Sequence, residues 1–218
     1  MRLLDELRHE HDLIEGVLGS LRTFVHERAR GAGDPADGVA FLRFFRLHAG
    51  DFHHGREEEL LFTALVDKAE LPGDKGPIPA LREQHHAMAA LLEAMAPLLG
   101  STLEETGERT RLVDLARTYA HALWRHIDAE NSVLLPEARA RLRRSGIFEL
   151  EGPPPSPQEA AAGEEGMTLL HRYPPAPDPE ALRGEGCVIC PSFGTLCEGV
   201  EREWWNEFEW EEFPDHLG

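Results

Sequence analysis

The sequence predicts an all-α protein, an up-down-up-down antiparallel four-helix bundle, on three observations. Apolar residues recur at alternating three- and four-residue steps along four long stretches, as they do on one face of an α-helix. The breaks between these stretches are rich in glycine, proline and aspartate, which favour turns. The breaks are also short, and short connections place successive long helices antiparallel to one another.

The first two helices carry polar residues inside their apolar stripes. The first helix is predicted over about 2–29, where His11 lies between Leu7 and Ile14. The second is predicted over about 36–70. Its stripe, read at α-helical spacing, consists of Phe44, Leu47, Asp51, His54, Glu58, Leu61 and Leu65.

The third and fourth helices repeat this feature. The third, over about 79–99, has a heptad pattern of apolar residues that His85 interrupts. The fourth, over about 103–145, carries His126 and Glu130 one helical turn apart in its stripe. All four predicted helices therefore direct polar groups into the interior of the bundle.

Composition divides the chain into three predicted parts. Residues 1–145 form the four-helix bundle, 146–186 a flexible proline-rich linker, and 187–218 a segment rich in cysteine and tryptophan. Residues 146–218 contain 10 of the 16 prolines, 3 of the 4 tryptophans and all three cysteines. Proline-rich segments of low hydrophobicity tend to remain extended linkers.

Charge limits the classes of partner. The chain has a formal net charge of −18 at pH 7, with 40 acidic and 22 basic side chains. Phosphates would be repelled by this charge, so we expect neither nucleic acid nor an anionic membrane surface as a partner. No apolar run approaches the about 20 residues that span a bilayer. The N-terminus does not resemble a secretory signal, and we expect a cytoplasmic protein.

The polar residues in the stripes predict a metal centre. An imidazole and a carboxylate four residues apart lie on the same helix face and can bind one ion or two adjacent ions. A carboxylate is costly to bury unless it is paired or bound to metal. The predicted ligands are His11, His54, Glu58, His85, His126 and Glu130.

Helical register distinguishes the predicted ligands from their neighbours in sequence. At α-helical spacing His53 lies on a different stripe from His54, and Glu57 and Glu59 point away from Glu58. We therefore expect His53, Glu57 and Glu59 to meet solvent. The same reasoning favours His85 over its neighbour His86, which shares a face with charged residues.

The donor set restricts the metal. Imidazole and carboxylate without thiolate suit iron, manganese or zinc. Six protein ligands leave open positions on two ions, with each ion bound by two histidines and a share of Glu58 and Glu130. Open positions favour a redox-active pair of iron ions over structural zinc, whose coordination sphere is usually closed.

These motifs resemble the hemerythrin-like HHE cation-binding family over about residues 1–145. The resemblance is carried by the segments EHDLIEGVL, HHGREEELLF, REQHHAMAALL and HIDAENSVLLP. It implies a four-helix bundle that holds two iron ions joined by an oxo or hydroxo bridge. The chain departs from the oxygen carriers of the family at Ala89 and Asn131, where those proteins have a histidine and an aspartate.

The ligand order is similar to that of the branch that includes bacterial iron-centre repair proteins, which are linked to oxidative and nitrosative stress. The resemblance implies redox handling of oxygen, peroxide or nitric oxide, or stress-linked iron handling. Two functions stay open: a di-iron oxidoreductase, and a non-catalytic sensor or metal store.

The C-terminal segment carries two further predictions. Three interpretations stay open for the cysteines of this segment, Cys187, Cys190 and Cys197. They suit a second metal site with His171 or His216 as the fourth ligand, a redox thiol pair, or a structural role. The segment also carries the large apolar side chains Trp204, Trp205 and Phe208. Exposure of such side chains to water is unfavourable, so they predict a surface that contacts the bundle, a second copy of the chain or a protein partner.

Overall fold

The computed structural model describes residues 1–175, which form helices and no strand. The predicted all-α class is therefore confirmed over this part of the chain. No helix within it combines the length and the apolar character needed to cross a membrane. The helices are α1 (Arg2–Ala29), α2 (Pro35–Arg43, Phe44–His54, Glu57–Phe62 and Thr63–Ala69), α3 (Pro77–Leu99), α4 (Thr106–Ala129, Glu130–Leu134 and Leu135–Arg144) and α5 (Pro157–Arg172).

Helix α2 contains two π-helical stretches, Phe44–His54 and Glu57–Phe62. In a π-turn the backbone hydrogen bond spans five residues instead of four, so inward-facing side chains recur at wider steps than in an α-helix. The buried side chains accordingly include His48, His53 and Glu57, whereas Asp51 is exposed. The stripe predicted at α-helical spacing is wrong in the middle of this helix for that reason.

Two apolar clusters form the core and lie at opposite ends of the bundle. Helix α1 supplies Leu7 to one cluster and Ile14 to the other, and α3 likewise supplies Leu81 to the first and Met88 to the second. Helix α4 packs against α1 and α3, and α2 packs against α3. The residues between the clusters, one turn from apolar side chains on either side, are the polar ones. The fold therefore holds a polar layer between two apolar cores.

Helix α5 differs from the flexible linker predicted over 146–186. It begins with a capping box in which the Ser156 hydroxyl accepts from the Glu159 amide at 3.3 Å and the Glu159 carboxylate accepts from the Ser156 amide at 2.6 Å. Pro157 occupies the first turn, where its missing N–H costs nothing. These local signals, rather than the proline content, indicate the helix.

Glycines allow α5 to pack closely on α1 and α2. A Cβ atom at Gly166 would lie 2.4 Å from Cδ2 of Phe44, and one at Gly163 would lie 3.0 Å from Nδ1 of His48. Leu169 and Tyr173, near the end of α5, belong to the same apolar cluster as Phe44. The segment after the bundle is therefore part of the packed structure as far as Pro175.

The described residues that follow the bundle, 146–175, are called the extension below. Asp37 holds the end of this extension in place. Its carboxylate accepts a hydrogen bond from the Tyr173 hydroxyl at 2.6 Å and a second from the Arg172 guanidinium. Burial, followed by the adjacent Asp37 carboxylate, raises the pKa of Tyr173 to about 12. Asp37 is itself only 7% exposed, so its two partners replace the water that it loses.

We expect Asp37→Ala to lower the free energy of unfolding by about 1 to 3 kcal/mol, because it leaves a buried hydroxyl without its acceptor. Urea unfolding measures this difference. Glu93→Ala is the control: it removes an exposed ion pair with Arg46, and exposed ion pairs contribute little to stability because solvent screens them. Equal losses in the two variants would contradict a role for Asp37 in holding α5.

Candidate metal centre

The polar layer contains seven side chains that converge from all four bundle helices. They form two groups in which the nitrogen and oxygen atoms lie within 4.8 Å of one another. The first group combines three histidines with one glutamate, and the second combines two histidines with two glutamates. The first consists of His54, Glu57, His85 and His126, and the second of His11, His53, Glu57 and Glu130.

Glu57 belongs to both groups, and its two oxygens face different histidines. Oε1 lies 3.4 Å from Nε2 of His53 and 3.7 Å from Nε2 of His11. Oε2 lies 3.5 Å from Nε2 of His85. The side chain is fully buried. One carboxylate therefore has an oxygen directed at each group of imidazoles.

Glu130 makes a second link between the groups. Its Oε2 lies 3.3 Å from Nε2 of His11 and 3.3 Å from Nε2 of His126. The His126 nitrogen in turn lies 3.0 Å from Nε2 of His85, and the rings of His54 and His85 stack at 3.9 Å. Because these nitrogens and oxygens share one small volume, the side chains form a single centre.

The structure corrects the expected exposure of two residues on α2. His53 is 1% exposed and Glu57 is 0% exposed, although α-helical spacing places both at the surface. Glu58 stands outside both groups, and its carboxylate instead contacts His85 from the outer side. The π-helical turns explain the change, because they bring positions 53 and 57 inward together with position 54.

The other predicted residues, His11, His54, His85, His126 and Glu130, lie in the two groups. Apart from His54 on α2, their positions agree with the interior placement expected from α1, α3 and α4, whose stripes follow α-helical spacing up to this layer. Whether these side chains bind metal stays a prediction.

In four of the histidines an oxygen atom of another side chain contacts Nδ1, the ring nitrogen that faces away from the centre. Such an outer contact fixes the orientation of a metal-binding imidazole and leaves Nε2 free to face the ion. Two of the oxygens come from carboxylates and two from amides. The Nδ1 atoms of His11, His53, His85 and His126 lie 2.8, 2.8, 2.7 and 2.8 Å from oxygens of Asn131, Glu10, Glu58 and Gln84, respectively.

Sequence reasoning did not find three of these outer residues, Glu10, Gln84 and Asn131, as parts of the site. Each is adjacent to a histidine in sequence or near one, but contacts a histidine of another helix. Only the packing of the helices determines that pairing. The adjacent positions Glu10 and Gln84, beside His11 and His85, are the weak signal that the sequence offered.

The inner atoms of the centre fit a cation. Within the described residues, Nε2 of His11, His53 and His54 and both oxygens of Glu57 and Glu130 are buried without a hydrogen-bond partner. Buried polar atoms are normally satisfied, so a cluster of unsatisfied ones calls for an explanation. Nitrogen and carboxylate donors in one place suit iron, manganese or zinc.

The electrostatics of the centre also favour bound positive charge. Burial lowers the pKa of His11, but the adjacent carboxylates of Glu130 and Glu57 outweigh it and raise the pKa to about 10. Burial raises the pKa of Glu57, but the surrounding histidines, led by His53 and His11, hold it well below its usual value. Two buried carboxylates thus demand a cation, which a proton on His11 or a metal ion can supply.

The imidazoles of the first group differ in their affinity for protons. Burial lowers the pKa of His126 to about 4 and that of His54 well below its usual value. For His85 burial also lowers the pKa, but the Glu58 and Glu57 carboxylates outweigh it and raise it. His54 and His126 are therefore neutral at pH 7, the form in which imidazole binds metal.

Comparison with protein families agrees with this geometry. The model of the hemerythrin HHE cation-binding domain matches residues 2–138. The chain belongs to the hemerythrin HHE family. No curated protein matches the chain. The match includes every residue of the two groups, and together with their chemistry it identifies a metal-binding, hemerythrin-like helical protein.

Helix α5 lies beyond the matched residues, so this HHE protein has a helical extension packed on its cation-binding domain. The residues Cys187, Cys190, Cys197, Trp204, Trp205 and Phe208 lie outside the described part of the chain. The predicted second metal or redox site and the predicted partner surface therefore stay predictions.

Proposed function

We propose that this protein holds two non-haem iron ions and uses them in redox chemistry with a small ligand: oxygen, hydrogen peroxide or nitric oxide. The observation that carries the proposal is the orientation of Glu57, which has one oxygen toward each group of histidines. A carboxylate so placed can bridge two ions. Iron bound there would supply the redox chemistry that no protein side chain in the layer provides.

The two ions would have different protein ligands. The first ion would be held by His54, His85, His126 and one oxygen of Glu57. The second ion would be held by His11, His53, Glu130 and the other oxygen of Glu57. The first set is richer in nitrogen and the second richer in oxygen. Thiolate is missing from both sets, which favours iron over copper(I).

The protein side chains have three roles in this proposal. The glutamates balance the charge of the ions, and the outer oxygens of Glu58 and Gln84 orient the imidazoles. The two apolar clusters restrict water at either end of the layer. Restriction of water protects a redox centre from side reactions.

A non-catalytic iron or oxygen sensor, or a metal store, is the second candidate. It is favoured by the burial of the unsatisfied donors, because stability should then depend strongly on metal occupancy. Consumption of peroxide or nitric oxide in the presence of a reductant separates the two candidates. Sustained turnover supports an oxidoreductase, and one reaction per centre supports a sensor or store.

The second motif still contains a histidine and a glutamate four residues apart, His53 and Glu57, with His54 as an additional ligand. By this similarity to iron-centre repair proteins, a role in the stress response is part of the proposal. A cytoplasmic location and the absence of nucleic-acid and membrane partners are further parts of it. These rest on the charge of −18 and on the sequence composition.

We expect the protein purified from iron-replete cells to contain about two iron ions per chain and to absorb in the near ultraviolet after oxidation, as the two-group centre implies. Elemental analysis and absorption spectroscopy measure this. His85→Ala should lose iron, whereas His86→Ala, which changes an exposed neighbour, should retain it. Stoichiometric zinc without iron would contradict the redox proposal.

A further inference from the structure

We propose that Glu10 is a positioning residue that links the C-terminal extension to the metal centre. Glu10 orients His53, Arg56 holds Glu10, and Gly152 of the extension leaves the space that Arg56 occupies. The inference rests on the proposed function in that His53 is taken as a metal ligand. It concerns residues that lie behind the ligands and a segment beyond the family match.

The first link joins Glu10 to His53. Oε2 of Glu10 lies 2.8 Å from Nδ1 of His53, on the side of the ring opposite to Glu57. His53 is buried and the Glu10 side chain is 13% exposed. A carboxylate that accepts from Nδ1–H fixes both the tautomer and the rotation of the ring, so that Nε2 presents its lone pair to an ion.

The second link joins Glu10 to Arg56. Nη1 of Arg56 donates to Oε1 of Glu10 at 2.5 Å, and Nη2 donates to Glu6. The guanidinium carbon lies 4.8 Å from the centroid of the Phe52 ring. Arg56 is only 5% exposed, and a buried charge persists only when its partners are well placed. The arginine thus holds the carboxylate that faces His53.

The third link joins Arg56 to the extension. A Cβ atom at Gly152 would lie 2.8 Å from Nε and 3.2 Å from Nη2 of Arg56. The chain just before Gly152 is held on α1, since the Leu3 amide donates a hydrogen bond to the Leu150 carbonyl at 2.9 Å. Residue 152 therefore covers the guanidinium so closely that only glycine leaves its position unchanged. A longer side chain would shift Arg56 and also Leu60, whose Cδ1 atom would lie 3.0 Å from the same Cβ atom, because both neighbours are side chains rather than backbone.

The test uses the full chain loaded with Co²⁺, a spectroscopic substitute that requires no turnover. We expect Glu10→Ala to release Co²⁺ to a chelator about 10 to 100 times faster than the unmodified protein, the range typical of outer-sphere losses. Glu10→Gln should recover part of the effect, because its amide oxygen still accepts from His53. Gly152→Ala should fall between the unmodified protein and Glu10→Ala.

A second measurement separates positioning from general destabilisation. In proton NMR spectra of the Co²⁺ protein, the signal of the His53 imidazole N–H should disappear in Glu10→Ala. The same signal should shift in Glu10→Gln and in Gly152→Ala, while the other imidazole N–H signals stay in place. Glu93→Ala, which breaks an exposed glutamate–arginine pair of the same kind, should change neither the signals nor the release rate.

The outcomes are distinct. Failure of the unmodified protein to bind Co²⁺ would overturn the proposed function. Binding with equal release rates in the unmodified protein and in Glu10→Ala would overturn the role of Glu10 alone. Faster release in Glu10→Ala with no change in Gly152→Ala would overturn the link to the extension.

Discussion

Glu57→Ala is expected to remove both metal ions, so that metal content falls from about two ions per chain to near zero, because each oxygen of this carboxylate serves a different group of histidines. Elemental analysis after dialysis against a weak chelator measures the content. In the presence of metal the variant should also be less thermally stable than the unmodified protein, since bound metal contributes to the free energy of folding only in the latter.

The next two residues provide matched controls, because Glu57, Glu58 and Glu59 are three successive glutamates of one helix whose side chains differ in direction and burial. Glu58→Ala removes the oxygen behind His85 and should weaken binding about 10- to 100-fold without abolishing it. Glu59→Ala changes an exposed side chain and should leave the content unchanged. Complete loss in Glu58→Ala with retention in Glu57→Ala would show that α2 follows α-helical spacing after all.

Removal of α5 is expected to produce the second large effect. A chain that ends at Gly146 loses the burial of Leu169 and Tyr173. At about 1.5 to 3 kcal/mol for each large side chain, the loss is about 3 to 6 kcal/mol, an upper estimate because the unfolded chain is partly compact. A chain that ends at Pro175 keeps all the described contacts and is the reference for this comparison. Urea unfolding of both chains, without metal, measures the difference.

A single substitution tests the same packing without truncation. Alanine is favoured over glycine inside a helix by about 1 kcal/mol, yet a Cβ atom at Gly166 would lie 2.4 Å from Phe44. Gly166→Ala should therefore destabilise the protein, whereas Gly107→Ala, in open space on α4, should be neutral or stabilising. Effects of the same sign at both positions, or equal stability of the two truncated chains, would contradict the packing of α5.

The sequence predicted most where local spacing is regular. His11, His85 and His126 stand in stripes that follow α-helical spacing, so their interior placement could be inferred from the apolar residues on either side. Glu130 followed from His126 one turn before it. The all-α class had the same origin, and the antiparallel order of the helices stays a prediction.

Tertiary structure decided the rest, because it depends on interactions that no local period encodes. The π-turns of α2 shifted the inward positions to His53 and Glu57 while keeping His54 inside. The outer partners Glu10 and Gln84 were chosen by the approach of separate helices.

The extension shows the same division. Its capping box is a local signal that the sequence contained, but its place on α1 and α2 depends on the close approach that glycines on both sides permit. The sequence by itself thus determined the helical class, the chemical types of the donors and three of the four helix faces on which they lie. Only the packed structure decided which α2 side chains complete the centre and what holds them, since a helix's turn width and its neighbours are fixed together when the core closes.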